Sequence, residues 1–315
     1  MSTSNCTLSI MVARTDLPFM MHTIPHLVRS CHHQFLRKVL VVDTAPLSGD
    51  KVSRPGIGSM EDLRLCCQEL IDKGIMDEAV DMDYSSDYRK KVYGKHFGNP
   101  HLKPTHNYKG YPILGSIFSL ENVPGDYILH FDSDMMLHQD YDFDWIQASI
   151  EILEKHEDVM FTRPFTGPPG ATGKLMYNRK PCHLDDDGLY RFKQFSSRVF
   201  LISREKFKSF LPVPILWKDK PGSWQSKLPD FLRVDLNRYL GIGKLHSWEV
   251  MLSKRLQSTR YSRVTLADTR AWTLHPNNRK PEFIDNLPKV IEKMEKGVYP
   301  AEQVGWYDFR NEFWF

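Results

Sequence analysis

The sequence predicts an α/β fold in which a mostly parallel sheet is flanked by helices. Three observations predict it. The run Tyr127-Ile-Leu-His-Phe-Asp-Ser-Asp-Met-Met-Leu137 is largely apolar until it stops at two carboxylates, Asp132 and Asp134, and its strand-type residues behind Gly125 read as a buried parallel strand. Helix and strand signals alternate on either side of it. With 315 residues, 41% of them apolar and 12% aromatic, the chain can fill one substantial packed domain.

Taken in order, residues 45–58 are rich in Pro, Gly and Ser and read as a loop. Ser59 caps a helix over 59–73, with Asp62 at a capping position and Gly74 as its stop. Residues 78–83 fit a strand in which Val80 and Met82 alternate with acids. Residues 84–107 are polar, basic and aromatic without a clear period, and read as irregular. A helix over 111–121 precedes the acid-bearing strand. The next helix, 143–156, buries Trp145, Ile146, Ser149, Ile150 and Leu153. Residues 165–173 carry glycines and prolines that break regular structure, as a surface loop or as a lid. Asp185, Asp186 and Asp187 before Gly188 read as a solvated turn. Residues 211–232, proline-rich with Trp217 and Trp224, supply either packing aromatics or a platform whose indole faces meet a sugar. The tail, 304–315, is too apolar to be left in water and folds back on the core or forms a homodimer contact.

Composition excludes several function classes. The net charge is +3, with 42 basic and 39 acidic residues mixed along the chain, so there is no nucleic-acid footprint, and Arg89-Lys-Lys91 reads as a solvated face. No apolar run long enough for a membrane span occurs, nor a charged-then-apolar leader, and the expected compartment is the cytoplasm. Cys6, Cys31, Cys66, Cys67 and Cys182 are odd in number and lack C-x-x-C spacing, which argues against a disulfide framework and against a zinc site.

Chemistry concentrates at the acid-bearing strand. Open α/β sheets bind ligands outside the carboxyl ends of their strands, where Asp132 and Asp134 fall. If the strand conformation persists, their spacing points both carboxylates to one side, where a hard divalent cation draws them together and holds a diphosphate. Ser133 between them is small enough to let phosphates approach. An acidic turn at a strand end is the plainer reading of D-x-D alone, so its neighbours must decide.

The ordered series of motifs over about residues 7–275 resembles the GT-A fold glycosyltransferases, most closely the family 2-like inverting enzymes. Thr7-Leu-Ser-Ile-Met-Val-Ala-Arg-Thr-Asp16 looks like the first strand and nucleotide loop of that family, residues 20–31 like the following helix, and Arg37-Lys-Val-Leu-Val-Val-Asp43 like the second strand with its terminal acid. Gly125-Asp-Tyr-Ile-Leu-His-Phe-Asp-Ser-Asp134 looks like the strand leading into the DXD motif. Gln194-Phe-Ser-Ser-Arg-Val-Phe-Leu-Ile-Ser-Arg-Glu-Lys-Phe207 is similar to the strand and helix that support the acceptor side, and Ser247-Trp-Glu-Val-Met-Leu-Ser-Lys-Arg-Leu256 to the base-bearing helix.

The resemblance implies a GT-A type Rossmann-like nucleotide-binding sheet in a domain spanning 1–275, with a nucleotide-binding half to about 140 and an acceptor-binding half from about 141, and 276–315 as a C-terminal extension. It implies that Ala13, Arg14, Thr15 and Asp43 hold the nucleoside and that Asp132 and Ser133 contact the donor. Asp132, Asp134 and His275 would ligate the metal, and Glu249 would be the catalytic base, with Leu252 and Arg255 on later positions of its motif. Trp248 stands where the family has the first acid of a pair, and Met251 where it has a polar residue. An imidazole ligand favours Mn2+ over Mg2+.

The implied activity is transfer of a sugar from a nucleoside diphosphate sugar to a hydroxyl or amine of a glycan, lipid-linked or small-molecule acceptor, with inversion. Two rivals remain. A sugar nucleotidyltransferase normally has a Gly-rich phosphate loop after its first strand, whereas Val12-Ala-Arg-Thr-Asp16 contains no glycine. A catalytically silent nucleotide-sugar-binding module would keep the cleft and lose the base, and Trp248 leaves that open. A haloacid-dehalogenase-type phosphatase carries its D-x-D after the first strand, but here 131 residues precede Asp132.

Overall fold

A fully buried strand needs both faces of its sheet covered, and β1 (Cys6–Val12) occupies such a position. The computed structural model describes residues 5–177, 180–218, 224–240, 243–276 and 279–315. β1 is joined to β2 (Arg37–Val42) through α1 (Met20–Ser30), and β2 to β3 (Glu78–Asp81) through α2 (Met60–Asp72), each strand pairing in parallel with the one before it. Ser59 caps α2 as expected: its hydroxyl accepts from the Asp62 N–H, and Asp62 accepts from the Ser59 N–H.

The segment 84–107 departs from the irregular structure expected of it. α3 (Ser86–Phe97) fills its centre, between a Ser85 N-cap and Gly98 at φ +65°. Its buried residues, Val92, Tyr93, His96 and Phe97, crowd into the C-terminal half, so no full-length apolar stripe marks it in the sequence. α4 (Leu114–Asn122) begins after residue 111, because Pro112 is still paired with His106 in an isolated bridge.

β4 (Tyr127–Asp132) lies parallel to β1 on its other side. β5 (Met136–Gln139) continues the same apolar run as a separate strand. α5 (Trp145–Lys155), capped by Asp144, buries Trp145, Ile146, Ser149, Ile150 and Leu153, the face read from the sequence. Next come β6 (Val159–Arg163), the short β7 (Phe165–Thr166), and the two strands of a small hairpin, β8 (Met176–Tyr177) and β9 (Lys180–Pro181). β10 (Tyr190–Phe192), β11 (Val199–Ser203), α6 (Arg204–Phe210), α7 (Asp230–Leu240), α8 (Trp248–Gln257), β12 (Ser262–Thr265) and β13 (Ala271–Leu274) follow.

The main sheet has eight strands in the order β10-β12-β6-β11-β4-β1-β2-β3. β11 runs antiparallel to both β4 and β6, and β10 to β12, so the sheet is mixed around a parallel β3-β2-β1-β4 block. Strand alternation divides its side chains between two cores. Val39, Val41, Ile128, Phe161 and Phe200 face one, with Trp248; Leu40, Val42, Leu129, Phe131 and Leu201 face the other, with Trp145.

A third core belongs to the C-terminal extension. α9 (Pro281–Glu295) and α10 (Asn311–Trp314) bring Phe283, Leu287 and Trp314 against Phe19, Phe165 and Trp272, so the apolar tail folds back on the core. Residues 165–173 lie under this extension. Gly167, at φ +76°, passes so close that a Cβ there would sit 2.6 Å from the Trp306 carbonyl oxygen, and the Tyr299 hydroxyl donates to the Pro169 carbonyl at 2.9 Å. The loop is pinned, which fits the loop alternative and not a free lid. Trp217 is buried in the first core, whereas Trp224 is 61% exposed; residues 219–223 of the proposed platform lie outside the described residues. All five cysteines are free thiols. No helix among the described residues is long and apolar enough to cross a membrane.

Candidate functional site

β4 ends at Asp132, and the two acids of the D-x-D part company there. The Met135 N–H donates to the Asp132 carbonyl at 3.1 Å and closes a turn, so strand alternation no longer governs Asp134. Asp132, with its side chain 37% exposed, faces the cleft, its Oδ1 3.3 Å from His130 Nε2. Ser133 is buried, and its carbonyl accepts from the Thr23 hydroxyl of α1. Asp134 is 1% exposed and turns toward the C-terminal extension, where it pairs with the Arg279 guanidinium and lies 4.0 Å from His275 Nε2. The structure thus joins Asp134 to His275, while Asp132 faces His130.

Burial opposes ionisation of Asp134, yet the charges of Arg279 and then His275 hold its carboxyl below the usual range. Its Oδ1 is buried with no hydrogen-bond partner. Asp16, 3.9 Å from the other side of Arg279, is pushed up by burial despite that guanidinium.

The extension orients His275. Its Nδ1 lies 3.1 Å from Asp308 Oδ1, its N–H donates to the Tyr307 carbonyl at 3.1 Å, its carbonyl accepts from the Phe309 N–H at 2.8 Å, and the Tyr307 ring stacks on it. With the Nδ1 proton given to Asp308, the Nε2 lone pair is the one turned to Asp134, the arrangement in which a carboxylate fixes a ligating imidazole. An orphaned buried carboxylate oxygen beside such an imidazole fits a divalent cation. Among the described residues no three His, Cys, Asp or Glu side chains converge to form a complete metal cluster, so much of a cation's shell would come from oxygens of a substrate.

Opposite this pair, Ser247 caps α8 and places Glu249 in its first turn. Glu249 Oε2 accepts from the Ser197 N–H at 3.0 Å and from its hydroxyl at 3.1 Å. Trp248 points away into the core, edge-on to Phe195 at 5.4 Å, so the position preceding Glu249 is one that packing fills. Met251 and Leu252 are buried beside it, and Arg255 donates to the Phe210 carbonyl at 2.9 Å. A cleft of about 630 Å³ connects Asp132, Glu249, His275, Arg198, Arg279 and Thr15. Arg54, Lys109 and Lys280 add positive charge along its walls, which favours an anionic ligand.

Of the remaining sequence-predicted residues, Thr15 lines the cleft, whereas Ala13, Arg14 and Asp43 are not part of its lining. The buried Ala13 donates its N–H to Asp16 Oδ2 at 2.9 Å, and Arg14 reaches the Gly58 carbonyl at 3.5 Å. Asp43, 4% exposed, accepts from the Tyr84 hydroxyl at 2.7 Å, Lys51 Nζ at 3.4 Å and the Ala45 N–H at 3.1 Å, with His106 Nε2 3.6 Å away. Burial alone would raise its carboxyl, but these partners outweigh burial and pull it down to about 2. Because the folded value lies below the ordinary 3.8, the stabilisation is present above that value and lost as pH falls from about 4 to about 2. Asp43→Asn is therefore expected to cost about 2 kcal/mol at pH 7. Urea titrations at pH 7 and at pH 3 check it: the deficit of the variant should shrink at the lower pH.

Sequence reasoning did not identify Arg279, Arg198, Asp308, Tyr307 or Ser197 as parts of the site.

No family model and no curated protein matches this chain. Among solved structures it is similar to GalNAc-T7 with UDP, GalNAc and Mn2+, at 11% identity and a TM-score of 0.46, over 87% of this chain and 44% of that one. It is also similar to glucosyl-3-phosphoglycerate synthase from Mycobacterium tuberculosis in complex with Mn2+, uridine diphosphate and phosphoglyceric acid, at 13% identity and a TM-score of 0.36, over 92% of this chain and 77% of that one. The chain thus spans less than half the length of GalNAc-T7.

Proposed function

We propose that the chain is a GT-A glycosyltransferase that moves a sugar from a nucleoside diphosphate sugar to an acceptor hydroxyl or amine, with inversion at the anomeric carbon. The observation that supports this reading most is the buried Asp134 carboxylate, with an unpartnered Oδ1, directly behind His275, which lines the basic cleft and whose Nε2 lies 4.0 Å from the other carboxylate oxygen.

In this reading Asp134 and His275 hold a divalent cation, Mn2+ in preference to Mg2+ because of the imidazole, and Asp132 serves as its further ligand or meets the ribose. When bound, the cation supplies Lewis-acid stabilisation of the departing diphosphate. Arg279, which now neutralises Asp134, is on the cleft wall and can exchange that partner for phosphate oxygens. Ala13, Arg14, Thr15 and the Asp43 network receive the nucleoside, and the small Ser133 leaves room for the phosphates. Both Ser197 bonds fall on Glu249 Oε2, which fixes the carboxylate with its other oxygen available to accept the acceptor's proton. Attack from the face opposite the diphosphate then gives inversion.

A panel of UDP-, GDP-, CMP- and dTDP-sugars, assayed for metal-dependent binding and slow hydrolysis, tests the reading. One donor class should bind with Mn2+ and lose that binding on chelation; failure of all four in the presence of metal would contradict it. The metal pair has its own test. His275→Ala should weaken Mn2+ binding strongly, and Asp308→Asn, which only orients the ring, by about 10–100-fold. Because the extension also pairs with His275 through its main chain, thermal midpoints should move little. Normal Mn2+ affinity in both folded variants would make His275 a packing residue.

A further inference from the structure

Arg163 and Arg263 lie on adjacent parallel strands, and neither is used in the site described above. In the β6–β12 register Phe161 is opposite Arg263 and Arg163 opposite Thr265, so the two arginines share the sheet face on which Phe161 packs against the core that contains Trp248 of α8. Because β11 is antiparallel to both β4 and β6, β6 runs in the same direction as β4. Arg163, the last residue of β6, is therefore on the same carboxyl rim as Asp132.

Both side chains are buried, Arg163 at 3% exposure and Arg263 at 8%. The Arg163 guanidinium sits over the Tyr307 ring at 4.6 Å, and that of Arg263 over the Phe192 ring at 4.5 Å. Arg163 Nε and Nη2 and Arg263 Nε have no hydrogen-bond partner. Arg198, which lines the cleft, approaches the same Tyr307 ring at 5.8 Å, so that ring connects Arg163 with a residue of the cleft wall; Arg198 Nη1 lies 3.8 Å from Asp308 Oδ1. Burial, and then the charge of Arg163, push the Arg263 guanidinium down to about 9, against the smaller opposing influence of Tyr307 and Glu249.

Two adjacent buried cations with open N–H donors are costly unless an anion completes them, and two positive charges match a dianion. We propose that Arg163 and Arg263, with Arg198 at the mouth, form a phosphate-binding subsite beside Glu249, and that the acceptor is a phosphate monoester whose phosphate seats there. The donor diphosphate belongs to Asp134, His275 and Arg279. The assignment of this phosphate to the acceptor rests on the transferase reading; the anion subsite itself does not.

The test uses inorganic phosphate titrated at constant ionic strength into the full chain, first alone, then with Mn2+ and the tightest-binding nucleoside diphosphate at saturation. Phosphate should bind saturably in both conditions. Arg163→Met and Arg263→Met should each weaken it at least about tenfold, with the ligand-free thermal midpoint unchanged or raised, since an unpaired buried charge has gone. Displacement of phosphate by the nucleotide, or unchanged phosphate affinity in both variants, overturns the subsite. If a methionine variant does not fold, the competition arm on the unaltered chain still decides. Phosphate binding without any nucleotide binding would remove the transferase reading and keep the subsite, whereas nucleotide binding without phosphate binding would remove the subsite alone.

Discussion

Glu249→Gln is expected to bind the sugar nucleotide with unaltered affinity and to transfer sugar about 10²–10⁴-fold more slowly. The glutamine keeps a carbonyl oxygen for the two bonds from Ser197, so the first turn of α8 and the cleft wall should stay in place. It lacks the basic oxygen that receives the acceptor's proton. The limb of the pH–rate profile in which activity falls toward acid should vanish with it, because protonation of this carboxylate would no longer be what switches the enzyme off. Turnover like that of the unaltered chain, or a product of retained anomeric configuration, would contradict the role given to Glu249. The residue would then position the acceptor and not deprotonate it.

The second large effect is expected at Asp134. Asp134→Asn should abolish metal-dependent nucleotide binding, since the asparagine offers only a neutral carbonyl where a carboxylate is needed. It should also cost stability. Removing one partner of a buried ion pair typically costs about 3–5 kcal/mol, and less is expected here because Arg279 keeps Asp16 nearby and is partly exposed. The two consequences separate in the double variant Asp134→Asn with Arg279→Gln. Without an uncompensated guanidinium it should regain thermal stability, yet it should not regain metal-dependent binding. If the double variant binds metal and nucleotide normally, Asp134 serves only to neutralise Arg279.

What the sequence made legible follows from how local each signal is. β4 announces itself because a strand buried on both faces must be apolar throughout, and Asp132 is conspicuous as the charge that ends it. The face of α5 is equally plain, since its helical spacing and the Asp144 cap agree. α3 is not, because Asp87, Arg89, Lys90 and Lys91 dominate its first turns and its burial is confined to one end. The divergence of Asp132 and Asp134 was hidden for a different reason: a spacing of two fixes direction only while the strand persists, and here a turn intervenes. Residues supplied by the extension carry no local mark at all. Asp308 meets His275 across 33 residues, and Arg279 meets Asp134 across 145, through contacts that only the folded third core brings about. Arg163 and Arg263 read in sequence as ordinary charged positions of short strands; their burial is visible only once β6 and β12 are paired.

The central claim is that Asp134 and His275 make a divalent cation a condition of donor binding. Isothermal titration of the chain with the best nucleoside diphosphate of the panel, in Mn2+ and then in excess chelator, tests it most directly. The account predicts binding in Mn2+ that the chelator abolishes, because the Asp134 carboxylate would otherwise face the diphosphate uncompensated once Arg279 turns to the phosphates. Equal affinity in the two conditions would contradict it.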